Sequence, residues 1–358
     1  MNISSPHYWP AEWSSQAATW IAWPHNQETW PGRFGEVPAA FLRFVTVLCE
    51  VQQVHVLISD NAIESRYRDA LERLPQVELV EIETNDCWIR DFGPTMVKRR
   101  DDHSLVGVCW RYNGWGEKYP PFDKDAAAAT KIVEAIGCPR SNSSLYCEGG
   151  ALETNGQGIL FSTQNCLLNP NRNPGWTQSM VEDELKMQLG VEQIVWVDGG
   201  GLKGDDTDGH IDQLARFTNE NTVVAAVANP QDENYVGLEE NVRILREVRQ
   251  SSGQPLNVVR LPIPPARFVD HQRVPESYCN FVIANETVIV PTFRNERTDH
   301  EAIDLLGSLF PSRTMMPIDA HDLVWGLGAF HCASQQQPSA VQRRPLRNAR
   351  ARARQQNP

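Results

Sequence analysis

Nine residues, Gly204 to Asp212 (GDDTDGHID), set four aspartates and a histidine directly ahead of the apolar stretch QLARF. That density of carboxylate implies a positive charge to be held: a metal ion, an organic cation, or nothing beyond water. On an extended chain His210 and Asp212 share one face while Ile211 takes the opposite, packed one, which puts an acid or base beside a carboxylate. An acidic loop capping a strand, with a surface histidine, is the structural alternative. Asp208, His210 and Asp212 also spell DxHxD, a pattern that two Mn²⁺ ions can use in ureohydrolases. Such a site needs a second aspartate set, and Asp319-Ala320-His321-Asp322 has the wrong spacing.

Cys332 is the candidate nucleophile. It ends a glycine-rich approach, WGLGAFH, in which Gly326 and Gly328 let the backbone come close to something. The polar Ser334-Gln335-Gln336-Gln337 behind it does not read as core. One thiol with a histidine elsewhere is the pattern of a cysteine nucleophile and its acid–base partner; a structural cysteine in a glycine turn is the alternative. The local signature of papain-like hydrolases is absent. On an extended strand the adjacent His331 points away from Cys332, so His210 is the expected partner. In TNDCWIRDFGP, Trp88 and Asp91 offer an aromatic face and a carboxylate, which suits a flat cation. Core packing is the alternative for Trp88. Arg90, alternating away from Asp91, is expected to be a structural ion-pair partner. A further polar cluster, CEGGALE, holds Glu148-Gly149-Gly150.

The elements that must position these residues follow a beat. Helical patterns begin at 61, 122, 177, 238 and 299. Strand-like runs follow most of them: VELVEI (77–82), VEQIVWV (191–197), NVVRLPI (257–263) and RTMMPI (313–318). Others precede them: VGVCWRY (106–112), GILFS (158–162), TVVAAV (222–227) and FVIANETVIVP (281–291). The pattern predicts about five β-rich units with one helix each. Such units can close into a ring with helices outside, gathering residues distant in sequence around one axis. An open α/β sheet with accidental helix spacing is the alternative. No low-complexity linker interrupts residues 1–338, which predicts one catalytic domain there.

Composition narrows the function classes. No apolar run approaches the roughly 18–20 residues of a bilayer span, so no membrane role is expected. The N-terminal MNISSPHYWPAEW has neither the basic start nor the apolar core of an export signal; a cytoplasmic location is the expectation. Eight cysteines without a CxxC pair predict neither a disulfide framework nor a zinc finger. Net charge is −12, and six of the arginines lie after Cys332, so the rest of the chain stands near −18. An acidic body of that kind repels nucleic acid and attracts small cations. The Arg-rich segment 339–358 reads as a disordered extension with no part in the chemistry; a nucleic-acid arm is the other reading.

Taken in order, WIRDFGP, EGGALE, GDDTDGHIDQLARF and GLGAFHCASQQQP resemble the agmatine deiminase and bacterial-type peptidylarginine deiminase family of the guanidine-modifying (pentein) superfamily. The segments WPAEWSSQAATWIAWPHNQETW and CLLNPNRNPG extend the likeness to residues 8–338. The resemblance implies a five-bladed pseudosymmetric α/β propeller of ββαβ units. It implies Cys332 as nucleophile, His210 as acid and base, and Asp91 and Asp212 as the carboxylates that grip a guanidinium. Trp88 and Asp208 join them on the substrate side, with Glu148 and Arg90 behind. It further implies agmatine hydrolysed to N-carbamoylputrescine and ammonia, or the same reaction on peptide arginine, with no metal or cofactor. Family members often pair, which implies a homodimer. Agmatine deiminases often carry GGGN before the I-H-C, whereas this chain reads Gly326-Leu327-Gly328-Ala329-Phe330, and substrate choice is expected to depend on that difference.

Overall fold

A computed structural model describes residues 5–59 and 63–340. They form a mixed α/β structure in which one arrangement recurs in sheet after sheet. In the sheet of Thr95–Arg99, Leu105–Arg111 and Arg140–Tyr146, the first two strands are antiparallel and the third runs parallel to the second. Helix Asp123–Ile136 makes the crossover. Connection length explains the order: a short reversal joins antiparallel neighbours, but a parallel strand needs a crossover of a dozen residues or more. The same order recurs in Glu153–Thr154, Ile159–Ser162, helix Gln178–Leu189 and Gln193–Trp196. It recurs again in Ala215–Asn219, Thr222–Val227, helix Tyr235–Glu247 and Asn257–Pro262. Val282–Ile283, Thr287–Thr292, helix Glu296–Leu309 and Thr314–Asp319 repeat it once more.

A further four-stranded sheet departs from the expected beat. Its crossover helix is Val37–Cys49, between the parallel strands Gln16–Ala22 and Gln53–Ile58. The helix expected from residue 61 is Ser65–Glu72, an addition that leads to one more parallel strand, Val77–Glu81. The spacing of the first two helical patterns was therefore coincidental. VPAAFLRFVTVLC escaped notice because eight of its thirteen residues are buried, leaving little polar face to mark a period. The antiparallel strand of this sheet comes from the far end of the chain: Gln335–Pro338 pairs with Gln16–Ala22.

That pairing corrects the reading of the glutamine run. Ser334, Gln335 and Gln336 are buried. Their amides are spent inside: Gln335 donates to the Pro94 carbonyl, Gln336 accepts from Arg90, and Gln337 accepts from the Trp20 indole. The middle strands, such as Val223–Ala226 and Val288–Val290, are buried throughout, as expected where both faces of a strand are covered. No helix among the described residues is long and apolar enough to cross a membrane. The Arg-rich segment from 341 onward lies outside the described residues.

Candidate active site

Asp91, Glu148, His210, Asp212 and Cys332 each lie in, or cap, a short turn just ahead of a strand that has an antiparallel neighbour. Asp91 belongs to the single helical turn Ile89–Phe92, before Thr95–Arg99. Glu148 caps the turn Gly149–Ala151, before Glu153–Thr154. His210 caps Ile211–Gln213, which contains Asp212 and precedes Ala215–Asn219. Cys332 sits in a turn before Gln335–Pro338. The corresponding turn in the other unit, Tyr278–Asn280, ends on Asn280. From the turn at Ile89 to that at Tyr278, each touches the next. The extended backbone assumed for His210–Asp212 and for Arg90–Asp91 is thus replaced by tight turns, although Ile211 is fully buried, as its packed face required.

The side chains converge on Gly150. A Cβ there would lie 2.6 Å from His210 Nδ1, 2.7 Å from Asp91 Oδ1 and 3.3 Å from Asp212 Oδ2. Only glycine leaves these three groups room. The Gly150 N–H and the Trp115 indole N–H donate to Asp91, each at 3.0 Å. His210 Nδ1 is 3.6 Å from Asp91 Oδ1 and Nε2 is 3.9 Å from Glu148 Oε2, yet neither ring nitrogen has a hydrogen-bond partner. Cys332 Sγ is 3.5 Å from Asp212 Oδ2 and receives the Asn280 amide at 3.1 Å. Asp212 Oδ1 is buried without a partner. Buried polar atoms in native proteins are rarely left so, and those that are mark a place for a ligand or water.

Charge follows from this crowding. Burial raises Asp91 to about 6 against the pull of His210, and Asp212 and Glu148 add to the rise. Burial disfavours the His210 imidazolium, but Asp91 first, with Cys166 and Glu148 behind it, lifts the ring well above its ordinary value. Glu148 is buried too, yet His210 and Arg172 bring it down to about 2. Burial, Asp212 and Asp91 push the Cys332 thiol far up, and the Asn280 amide offsets part of that. The arrangement is an acidic cage with a protonated imidazole and a thiol, short of one cation.

Comparison with known proteins identifies the family. The model of the Porphyromonas-type peptidyl-arginine deiminase family matches residues 8–338. The chain belongs to this family. Agmatine deiminase of Medicago truncatula is 32% identical over 92% of this chain and 96% of its own length. That of Pseudomonas syringae pv. tomato is 33% identical over 92% and 95%. Among solved structures, C. jejuni agmatine deiminase with substrate bound superposes with a TM-score of 0.85 at 28% identity, covering 93% of this chain and 97% of that one. Agmatine deiminase of Enterococcus faecalis gives 0.85 at 27% identity, covering 95% and 99%.

In this family member the site opens into a pocket of about 650 Å³ lined by Trp88, Asp91, Trp115, Leu327 and Cys332 among others. Asp208 was misplaced on the substrate side. Its Oδ2 is taken by Lys118 at 2.8 Å, Arg172 at 2.7 Å and Asn171 at 3.2 Å, so DxHxD does not converge and cannot cradle a metal pair. Asp208 instead braces the loop that carries His210. Arg90 finds no carboxylate; it donates to the His331 carbonyl and to Gln336, and its backbone N–H bonds the Cys332 carbonyl. It therefore fixes the turn that carries Cys332. Trp88 lines the pocket while packing at 5.6 Å on Trp30. The close approach at Gly328 is to Trp88, whose nearest ring atom would lie 2.6 Å from a Cβ at that position. The missing asparagine's position, Ala329, is buried in the core and does not line the pocket. Leu327 does line it, held in left-handed backbone at φ 68°.

Three residues were missed from sequence. Asn280 bonds the Cys332 sulfur and Asp212 through its amide, and its carbonyl accepts the His331 and Cys332 backbone N–H groups. His331 bridges Asp212 at 2.8 Å and Glu12 at 3.1 Å. Glu12 in turn meets Arg216. Asn280 had a usable signal, since it precedes a strand as the other site residues do. Glu12 and His331 had none, because their partners are 200 or more residues away, or over 100 in the case of Asp212.

Proposed function

We infer that this chain is an agmatine deiminase, converting agmatine and water to N-carbamoylputrescine and ammonia. The observation that carries the reading is the convergence of Asp91, His210 and Asp212 on Gly150, with the Cys332 sulfur 3.5 Å from Asp212. Asp91 and Asp212 hold the planar guanidinium, Asp212 offering the oxygen that has no partner. The Cys332 thiolate attacks the central carbon. Protonated His210 gives its proton to the departing nitrogen, and ammonia leaves an amidino-cysteine. Neutral His210 then takes a proton from water, which attacks the same carbon. Collapse releases the ureido product and restores the thiol. The bound cation is what makes a thiolate accessible in so acidic a cage, because it compensates the charge of Asp91 and Asp212.

The rim favours agmatine over substrates with a distal carboxylate. Glu28, Asp86 and Asp206 line the pocket, and the lysine among the lining residues, Lys118, is already held by Asp208. A distal ammonium meets acids there, whereas the carboxylate of free arginine would be repelled. We further infer that five of the sheets are blades of a propeller and that residues 1–338 act as one catalytic unit. The repeated strand order, the successive contacts of the turns and the pairing of Gln335–Pro338 with Gln16–Ala22 support this. The test is ammonia release measured with agmatine, arginine and arginine peptides. Agmatine is expected to be preferred, and preference for a peptide would shift the substrate assignment. Cys332→Ser should bind agmatine without turnover; an active serine variant would exclude the covalent route.

A further inference from the structure

One group beside the proposed reaction centre is unused by it. Cys166 lies in the short helical turn Gln164–Leu167, inside the CLLNPNRNPG segment. Its sulfur is 3.6 Å from Glu148 Oε2. The same oxygen is 3.9 Å from His210 Nε2, and the three donor atoms lie within 4.8 Å of one another. All three residues are buried, and His210 Nε2 has no hydrogen-bond partner. We propose that Glu148, Cys166 and His210 form a site for a zinc-class divalent cation whose occupancy arrests the enzyme.

The spacing fits. Donor atoms about 2.0–2.3 Å from one tetrahedral zinc stand about 3.3–3.7 Å apart; the Cys166–Glu148 separation of 3.6 Å is already in range, the Glu148–His210 separation of 3.9 Å needs a contraction of a few tenths of an ångström, and the third pair lies within 4.8 Å. The donor set selects the ion. A thiolate, an imidazole nitrogen and a single carboxylate oxygen suit zinc or cobalt, while calcium and magnesium require more oxygens. Glu148 keeps its other oxygen on Arg172, 2.7 Å away, which orients the carboxylate as an outer-shell partner would. Three protein donors leave a fourth position for water. The route in is the substrate pocket, since Asp91 lines it and stands 3.6 Å from the other nitrogen of the same imidazole.

Binding is a proton exchange with no redox change: the Cys166 S–H and His210 Nε2–H bonds break, sulfur–metal and nitrogen–metal bonds form, and both protons go to solvent. The ion also occupies the lone pair of His210 Nε2. That ring can then neither deliver nor accept the proton that ammonia release and hydrolysis require.

The experiment separates this site from the nucleophile. Full-length Cys332→Ser is titrated with Co²⁺, and the near-ultraviolet thiolate-to-cobalt charge-transfer band is followed. The band should form stoichiometrically, and should be lost in Cys332→Ser/Cys166→Ser and in Cys332→Ser/Cys166→Ala. In the otherwise native enzyme, Cys166→Ser should retain turnover while the zinc concentration for half-inhibition rises at least tenfold, with chelator reversing inhibition of the parent. A band that survives both Cys166 changes, no band in Cys332→Ser, or equal zinc sensitivity of the parent and Cys166→Ser would overturn the proposal. The cobalt measurement is independent of turnover, so failure of the deiminase reading would leave it interpretable.

Discussion

The proposed chemistry depends on how few of the charged atoms at the centre have partners. Asp91 is the titrating member. Burial puts its carboxyl at about 6, and only the ionised form grips a guanidinium, so binding is lost as pH falls through that value. kcat/KM for agmatine should therefore decline about tenfold per pH unit below about 6. A pH–rate profile flat down to the ordinary carboxylate range near 4 would remove Asp91 from the clamp. Gly150 matters equally, through what it lacks. Gly150→Ala would set a methyl 2.6 Å from His210 and 2.7 Å from Asp91. Since its backbone is not left-handed, the fold should survive, with unchanged circular dichroism, while kcat falls about 100-fold from displacement of the reacting groups. The glycine pair was visible in the sequence, but its purpose was not: the contact joins residues 59 to 62 positions apart.

At the scale of elements, the site is a set of turns, each anchored by the strand it feeds. That explains why hydrophobic periodicity found most of the strands and none of the turns. A run such as TVVAAV carries its signal in its own residues, whereas a single turn such as Ile89–Phe92 is too short to have a period. The polar Gln335–Pro338 was misread for a related reason. Gln335 and Gln336 are buried because each has a specific partner, and a partner is invisible to a local pattern. Truncation after Ser334 would strip Gln16–Ala22 of its antiparallel neighbour and leave buried Arg90 without Gln336. Urea unfolding should show a loss of at least about 3 kcal/mol, accompanied by aggregation through the bared strand edge.

Across the whole molecule, buried arginines tie distant segments together. Arg216 is fully buried and meets Glu12, Glu153 and the carbonyls of Cys279 and Phe281. It thereby joins the N-terminal segment, the entry to one sheet and the entry to another. Glu12 continues through His331 to Asp212, so the same network reaches the proposed guanidinium clamp. Arg216→Met should cost about 3–5 kcal/mol, because two carboxylates lose their buried cation. Chemical denaturation measures the loss, and the surviving folded fraction should also show a raised KM for agmatine. A stable variant with native kinetics would mean that the network does not support the site.

Residue types and short motifs were enough to nominate Cys332, His210, Asp91 and Asp212, because a thiol, an imidazole and carboxylates set at strand starts state their chemistry locally. The repeat of helix and strand was also legible, since amphipathic periods are properties of contiguous residues. Only the tertiary structure decided that Asp208 braces a loop, that Arg90 holds the turn of Cys332, and that Asn280, His331 and Glu12 stand behind the candidate groups. Each of those roles is a hydrogen bond across tens to hundreds of residues. Such a bond is fixed by where folding brings two polar atoms together out of water, and no local stretch of sequence encodes that meeting.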